Sequence, residues 1–269
     1  MFFFPYRDDN PHNTTPIVTW CLIALCVIIF LWQQGLDSQA ARLAVLSYGI
    51  IPADLFGLAE IDPMIAPLPA WMTIVTSMFL HGGWMHLLGN MLYLWIFGDN
   101  VEASMGRLRF ILFYLSCGAV AALAQSVATP SSTIPMIGAS GAIAGVAGAY
   151  LMLYPHANIR VFFIFIIFFT VMNVPAWIVL GLWFVGQVLS QAASVTGQGG
   201  VAFLAHISGF IAGAILIFKL RLPDVPMFSR PLTRAFTRQH ARIVAPRASS
   251  RRSGGSVPPS GPSSKGPWN

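Results

Sequence analysis

The chain has 269 residues, of which 56% are hydrophobic and only 9% are charged, and its formal net charge at pH 7 is +6. Soluble domains usually carry about 25% charged residues, so this composition excludes an ordinary soluble globular protein and indicates a polytopic membrane protein. The positive charge does not indicate nucleic-acid binding, because most of the arginines lie beyond residue 220. We therefore expect no nucleic-acid partner.

The N-terminal residues 1–15 lack the order of a basic region followed by an apolar region that marks a cleaved signal peptide. We expect them to form a cytoplasmic N-terminal segment, and the apolar stretch that follows to remain as a membrane helix. The three cysteines all lie within apolar stretches, which predicts small buried hydrophobic residues rather than disulfide partners or metal ligands. They are Cys21, Cys26 and Cys117.

A helix needs about 20 apolar residues to cross a bilayer, and the chain offers six such stretches. They are predicted at residues 16–34, 75–98, 108–127, 136–154, 173–193 and 201–219. The apolar segment 161–172 is too short to span alone, and Pro175 is expected to mark the start of the fifth helix. The predicted fold class is an all-α membrane protein, a bundle of six transmembrane helices over residues 16–220.

Basic residues favour the cytoplasmic side of a membrane. With six spans and a cytoplasmic N-terminus, Arg42 alone among the basic residues near the spans falls outside, whereas a seventh span would place the basic C-terminal tail outside. Both termini are therefore predicted to be cytoplasmic. Residues 221–269 are rich in Pro, Ser, Gly and Arg and are predicted to be a disordered cytoplasmic tail, whose arginines can contact anionic lipid headgroups.

Polar side chains inside the predicted spans are functional candidates by default, since they are costly in a bilayer. They are His81, His86, Asn90, Ser140, His206 and Ser208. The predicted topology puts four of them in the outer half of the second, fourth and sixth spans. At a rise of about 1.5 Å per residue, these four lie within roughly 10 Å of one another in depth. They are His86, Asn90, Ser140 and His206.

Ser140 and His206 fit a nucleophile and its general base, because a neutral imidazole can take the proton that makes a serine hydroxyl reactive. No carboxylate is placed to orient the imidazole, so a dyad rather than a triad is predicted. Each residue alone also has a structural interpretation. Ser140 can be a small residue at a helix contact, and His206 can be a hydrogen-bonded interior histidine.

His86 and Asn90 are spaced i, i+4 and share one helical face, from which both can donate hydrogen bonds. Beside a serine nucleophile they suit an oxyanion hole, to which the backbone N–H groups of Ala139 and Ser140 would add donors at a helix N-terminus. The alternative is an interhelical hydrogen-bonding pair. His81 faces elsewhere on the helix and is interpreted as structural.

Two pairs of glycines indicate close packing of the fourth and sixth spans. Gly141 and Gly145 form one GxxxG motif, and Gly209 and Gly213 form another. Each motif starts just after a candidate catalytic residue, so close approach of the two helices would bring Ser140 and His206 together.

The segments HGGWMHLLGN, GASG (from Gly138) and AHISGFIAG resemble the three motifs of the rhomboid family of intramembrane serine proteases, in the family's order and on the second, fourth and sixth spans. The segment GDNVEASMGRLRF resembles the family's Glu…Gly-Arg segment, in which Glu102, Gly106 and Arg107 are expected to be structural. The resemblance covers about residues 15–220.

This resemblance implies a six-helix rhomboid bundle with Ser140 as nucleophile and His206 as general base, and with His86, Asn90 and the N–H groups of Ala139 and Ser140 as oxyanion donors. It implies a serine endopeptidase that needs no metal or other cofactor. Its partners would be the lipid bilayer and single-span or other membrane proteins, cleaved in or near a transmembrane segment. The expected location is a bacterial inner membrane.

One position departs from the family. Some rhomboids have an aromatic residue one turn after the serine, stacked on the catalytic histidine, and here that residue is Ala144. The support for the His206 ring must then come from another group, for which Trp183 and Phe184 are the candidates.

Two other function classes are weighed against the protease. A non-proteolytic rhomboid-like chaperone or trafficking factor would typically lack the serine or the histidine, and both are present. A transporter or metal protein would have to use His81, His86 and His206, but an i, i+5 pair of histidines is a poor helical chelate. The HExxH motif of membrane metalloproteases is absent from the sequence.

Overall fold

The computed structural model describes residues 2–10, 14–59, 61–62, 64–165, 168–194, 203–230 and 235. In chain order the α-helices are α1 Ile17–Gln34, α2 Ser38–Tyr48, α3 Pro52–Leu55, α4 Thr73–Thr76, α5 Trp84–Met105, α6 Arg107–Ala128, α7 Ser140–Leu153, α8 Ala176–Ser194 and α9 Phe203–Leu220. Short 3₁₀ turns, Ala70–Met72 and Ser77–Phe79, flank α4. The long helices α1 and α5–α9 correspond to the six predicted spans.

Among the described residues, α1, α6 and α9 are long and apolar enough to cross a membrane by length and composition. Large apolar side chains are exposed on the outer faces of the helices, as contact with lipid requires. They include Ile28, Leu112, Leu182 and Ile215. The apolar helices indicate a membrane protein, and the count of six spans stays a prediction.

Helix α7 lies at the centre of the bundle. It is buried continuously from Gly141 to Tyr150 and packs against α5, α6, α8 and α9. Its sequence explains this position, because small residues leave room for neighbouring helices on every side. Four long helices can therefore contact the helix that begins with Ser140.

The second span begins later than the sequence predicts. Residues 80–83 are not helical, and α5 starts at Trp84 and continues to Met105. The Gly82–Gly83 pair explains the late start, since glycine disfavours a helix, and Gly106 ends α5 with φ +79°. His81 thus precedes the helix and does not lie on one of its faces.

A three-stranded antiparallel sheet corrects the expected all-α class. Its strands are β1 Phe2–Asp8, β2 Asn158–Phe165 and β3 Phe168–Pro175, in the order β1-β2-β3. Phe4 pairs with Phe162, and Arg7 pairs with Arg160. Residues 161–165 and 168–172 of the apolar segment thus belong to two paired antiparallel strands, and α8 starts directly after Pro175, as predicted.

The end of β1 is tied to the bundle by a buried carboxylate. Asp8 Oδ2 accepts hydrogen bonds from the Tyr150 hydroxyl at 2.6 Å and from Asn100 Nδ2 at 3.0 Å. Asp9 Oδ1 accepts from the Asn158 backbone N–H at 2.8 Å, which joins β1 to the start of β2. The N-terminal segment therefore contacts α5 and α7.

Raising the pH is expected to remove a stabilising contribution at Asp8. Burial raises the pKa of Asp8 from 3.8 to about 7, against the opposing hydrogen bond from Tyr150 and with the help of the nearby Asp99 and Asp9 carboxylates. The folded protein therefore binds this proton more tightly than the unfolded chain. The contribution is fully present below pH 3.8 and is lost as the pH rises to about 7.

Thermal unfolding in detergent micelles across this pH range measures the effect. The Tm of the wild type should fall with rising pH more steeply than that of Asp8→Asn, which cannot titrate at this position. The exposed Asp224 gives the matched control, and Asp224→Asn should keep the wild-type slope. An unchanged slope in Asp8→Asn would contradict the prediction.

Glu102, in the last turn of α5, caps the start of α1. Its carboxylate accepts from the Val18 N–H at 3.0 Å, the Thr19 N–H at 2.8 Å and the Thr19 hydroxyl at 2.8 Å. The first N–H groups of a helix have no intrahelical acceptor, and a negative charge is favourable there. The carboxylate joins α5 to α1, a structural contact.

The chain after α9 also packs on the bundle. The N–H of Leu222 donates to the Ser104 carbonyl, and the N–H groups of Phe228 and Ser229 donate to the carbonyls of Met152 and Leu153. The part of the chain that the structure describes therefore extends past the predicted boundary at residue 220. Apart from residue 235, the predicted tail from residue 231 onward lies outside the described residues.

Candidate active site

Ser140 is the first residue of α7, and the preceding glycine sets its position. Gly138 has φ +127°, a backbone conformation that residues with a side chain rarely adopt, and its N–H donates to the Ser77 carbonyl at 2.8 Å. Upstream, Met136 and Ile50 exchange two backbone hydrogen bonds. These contacts hold the chain that leads into the helix, so the serine sits at a fixed helix N-terminus.

His206, on α9, contacts the serine directly. Its Nε2 lies 2.7 Å from Ser140 Oγ, and its Nδ1 lies 2.7 Å from Oε1 of Gln187 on α8. A carboxamide oxygen can only accept a hydrogen bond. The proton of a neutral imidazole is then on Nδ1, and Nε2 is free to accept from the Ser140 hydroxyl.

The four glycines of the two GxxxG motifs lie where α7 and α9 touch. A Cβ atom on Gly209 would stand 2.1 Å from the Gly141 carbonyl oxygen, and one on Gly213 would stand 1.9 Å from the Gly145 carbonyl oxygen. Gly148 continues the contact, since its Cβ would stand 2.1 Å from the Phe210 carbonyl oxygen. Only backbone without side chains allows the helices to approach this closely.

The His86 ring and the Ser140 hydroxyl both lie close to Gly138. A methyl group on Gly138 would be 2.8 Å from His86 Nε2 and 3.8 Å from Ser140 Oγ. The Gly82 N–H donates to His86 Nδ1 at 3.3 Å, which leaves the proton of a neutral ring on Nε2, the atom next to Gly138. A neutral His86 thus presents its N–H donor beside Gly138, two residues before the serine.

Asn90 and His81 complete this side of the site. Asn90 is buried, lines the same cavity as Ser140, and its Nδ2 has no hydrogen-bond partner among the described residues. His81 is buried against His86, with ring centroids 5.2 Å apart and an interplanar angle of 66°. Its structural role stays a prediction.

Trp183, on α8, is the aromatic neighbour of the His206 ring. The two ring centroids are 6.0 Å apart, with an interplanar angle of 38°. Phe184, the other candidate, packs instead on Phe210, with centroids 4.7 Å apart. Ala144 is buried in α7 and lines the cavity beside the histidine.

A cavity of about 630 Å³ opens at these residues. Its lining combines the polar groups with apolar side chains from α5, α7 and α8 and from the segment before α7. The apolar members include Met85, Ile137, Ile143 and Trp183. Within the described residues, no group of three or more His, Cys, Asp or Glu side chains could hold a metal ion.

The structure places Ser140, His206, His86 and Asn90 around one cavity, and it adds two residues that sequence reasoning did not single out. Gln187 contacts His206, and the Gly82 N–H orients His86. Gln187 carries a recognisable signal, because it is a polar residue within the predicted fifth span. The sequence offers no such signal for Gly82, since this residue contributes only its backbone N–H.

Comparisons with known proteins show which family the chain is similar to. A family model described as the Rhomboid domain matches residues 69–223. Rhomboid protease GluP of Bacillus subtilis is 30% identical over 224 residues, which cover 83% of this chain and 39% of the relative.

Two organellar relatives are similar as well. Rhomboid protein 1, mitochondrial, of Saccharomyces cerevisiae is 31% identical over 220 residues, covering 79% of this chain and 54% of the relative. Rhomboid-like protein 11, chloroplastic, of Arabidopsis thaliana is 28% identical over 170 residues, covering 59% and 56%. The matched regions span between 39% and 56% of the lengths of these three proteins.

Proposed function

The chain belongs to the rhomboid family, and on that basis we propose that it is an intramembrane serine endopeptidase that hydrolyses peptide bonds in or near the transmembrane segments of membrane proteins. The observation that carries the proposal is the 2.7 Å contact between His206 Nε2 and Ser140 Oγ. A base within hydrogen-bond distance is what an otherwise unreactive serine hydroxyl needs to become a nucleophile.

The first half of the reaction forms an acyl-enzyme. His206 Nε2 takes the hydroxyl proton as Ser140 Oγ attacks the carbonyl carbon of the scissile bond, which gives a tetrahedral intermediate with a negatively charged oxygen. The C–N bond then breaks as the imidazolium gives this proton to the departing amine. In the second half, water attacks the ester carbonyl, His206 again serves as base and then acid, and Ser140 is released.

The oxyanion is stabilised by donors aimed at the place where its charge develops. The proposed donors are His86 Nε2–H, Asn90 Nδ2 and the backbone N–H groups of Ala139 and Ser140. Two observations support them: the tautomer of His86 that the Gly82 contact favours, and the buried Asn90 amide without a partner among the described residues. The N-terminus of α7 adds the favourable end of its helix dipole.

The substrate would be a membrane protein, single-span or otherwise, that presents an extended segment to the cavity. The mixed lining supports this, because polar groups surround Ser140 while apolar side chains such as Met85 and Trp183 line the remaining walls. We further propose six spans with both termini cytoplasmic, in the inner membrane of a bacterium. The excess of basic residues on the predicted cytoplasmic side supports that orientation.

Cleavage by the purified protein tests the proposal. The protein in detergent is incubated with a fluorescent single-span substrate, with and without EDTA, and the product masses identify the bond cut. A serine-directed fluorophosphonate should inhibit cleavage and leave its mass on the peptide that contains Ser140. EDTA should have no effect.

Inhibition by EDTA, or a fluorophosphonate adduct on a serine other than Ser140, would overturn the serine mechanism. Absence of cleavage from a folded preparation, with several substrates that differ in sequence around the membrane boundary, would instead favour a non-proteolytic rhomboid-like chaperone or trafficking factor.

A further inference from the structure

Both nitrogens of the His206 ring have a side-chain partner. Nε2 contacts Ser140 Oγ, and Nδ1 contacts Gln187 Oε1, each at 2.7 Å. A neutral imidazole has one donor and one acceptor nitrogen, so the partner at one nitrogen decides what the other can do. The Gln187 contact therefore bears directly on whether His206 can accept a proton from the serine.

The helices around His206 contain no carboxylate that could contact Nδ1, so the acceptor there is a carboxamide. No Asp or Glu occurs between residues 103 and 223, the stretch that contains α6, α7, α8 and α9. Glu102 is already hydrogen-bonded to the start of α1. A carboxylate beside His206 would also add a charge inside the predicted bilayer, where it is costly, whereas a carboxamide offers an acceptor without charge.

Helix α8 presents two side chains to the histidine from one face. Trp183 and Gln187 are spaced i, i+4, so they are neighbours on the helix surface. The Trp183 ring lies 6.0 Å from the His206 ring and 6.1 Å from the Phe210 ring. This packing fixes the rotation of α8 at the level of the site and directs Gln187, which is half-buried, at Nδ1.

We propose that Gln187 is a positioning residue, which holds His206 in the tautomer with the proton on Nδ1 so that the lone pair of Nε2 faces Ser140. The proposal rests on the proposed function, because it assigns Gln187 a task in the same proton transfer. Loss of the acceptor leaves the ring free to rotate and to place its proton on Nε2, and in that form it cannot take the proton of the serine.

The kinetic test compares two substitutions of one residue. Gln187→Leu removes the acceptor and should lower kcat by about 10- to 100-fold with little change in KM, the size of effect seen when groups that orient histidine ligands are removed. Gln187→Glu retains an acceptor oxygen of the same reach, so its kcat should stay within about 3-fold of wild type although the added charge lowers its Tm. Gln34→Leu is the matched control, because Gln34 is exposed at the end of α1, and it should leave kcat and Tm unchanged.

A spectroscopic readout separates positioning from general packing. In protein labelled with ¹⁵N-histidine, the neutral His206 ring should show a protonated Nδ1 and an unprotonated Nε2 in the wild type, and a mixture of tautomers in Gln187→Leu. A tautomer that does not change in Gln187→Leu, or full kcat in that variant, overturns the proposal. If the wild type cleaves no substrate, the proposed function fails, and the tautomer signal alone then decides whether Gln187 orients His206.

Discussion

Replacing Ser140 with alanine is expected to lower kcat/KM for a single-span substrate by at least about 10³-fold, the loss expected when a catalytic nucleophile is removed. The substitution removes the atom proposed to form the acyl-enzyme while leaving the helix intact, since alanine is the best helix former. His206→Ala should cost about as much, because an unactivated serine is a poor nucleophile. The double variant should be no less active than either single variant, since the two residues act as one unit.

Matched controls are available for both substitutions. Ser208, also on α9, donates its hydroxyl to the Leu204 carbonyl of its own helix at 2.7 Å, so Ser208→Ala should cleave at the wild-type rate. His156 is exposed in the turn between α7 and β2, so His156→Ala should do the same. Normal cleavage by Ser140→Ala, measured with product masses to exclude a contaminating protease, would show that the proposed nucleophile is wrong.

The helices are predictable from sequence because each depends on a signal within its own segment. The predicted span 16–34 becomes Ile17–Gln34 and 108–127 becomes Arg107–Ala128, since continuous apolar sequence is sufficient to place them. The second predicted span begins at residue 75, whereas α5 begins nine residues later, at Trp84. There, apolar side chains on both sides of Gly82 and Gly83 hide the break that the glycines make.

The sheet could not be predicted in this way. An apolar stretch such as 161–172 is compatible with a strand or with a buried helix, and one of the two strands that pair with β2 is β1, which is far away in the sequence. Phe4 pairs with Phe162 across that distance. A local pattern contains no information about such a partner, so the strand at residues 2–8 and the hairpin had to come from the structure.

The candidate site was likewise predictable only in part. Depth along each helix follows from topology and the helical rise, which is why residues from three helices could be assigned to one layer. The rotation of α8 about its axis does not follow, and consecutive residues such as Trp183 and Phe184 point about 100° apart. The structure directs Trp183 at His206 and Phe184 at Phe210, and the same rotation directs Gln187 at the ring.

The second large effect on activity is expected from a substitution at the contact between α7 and α9. Gly209→Ala would put a methyl group 2.1 Å from the Gly141 carbonyl oxygen, well inside the ordinary contact distance of 3.4–4 Å. Backbone atoms cannot turn away as a side chain can, so the helices must separate by about 1 Å, which is enough to cost about 10²-fold in rate when reacting groups are displaced. We expect kcat to fall by about that factor and the free energy of unfolding to fall by about 1–3 kcal/mol.

The position of the methyl group along α9 distinguishes displacement of the dyad from simple loss of stability. Gly209 is one turn from His206 and faces the residue after Ser140, whereas Gly213 is a further turn away and faces Gly145. Gly213→Ala should lower Tm as much as Gly209→Ala but reduce kcat less. Gly186→Ala on α8 is the control, since a methyl group there meets nothing within 4 Å and alanine favours the helix. If Gly209→Ala kept both the wild-type Tm and kcat, the helices would not be held at this distance by their glycines, and the approach of His206 to Ser140 would need another cause.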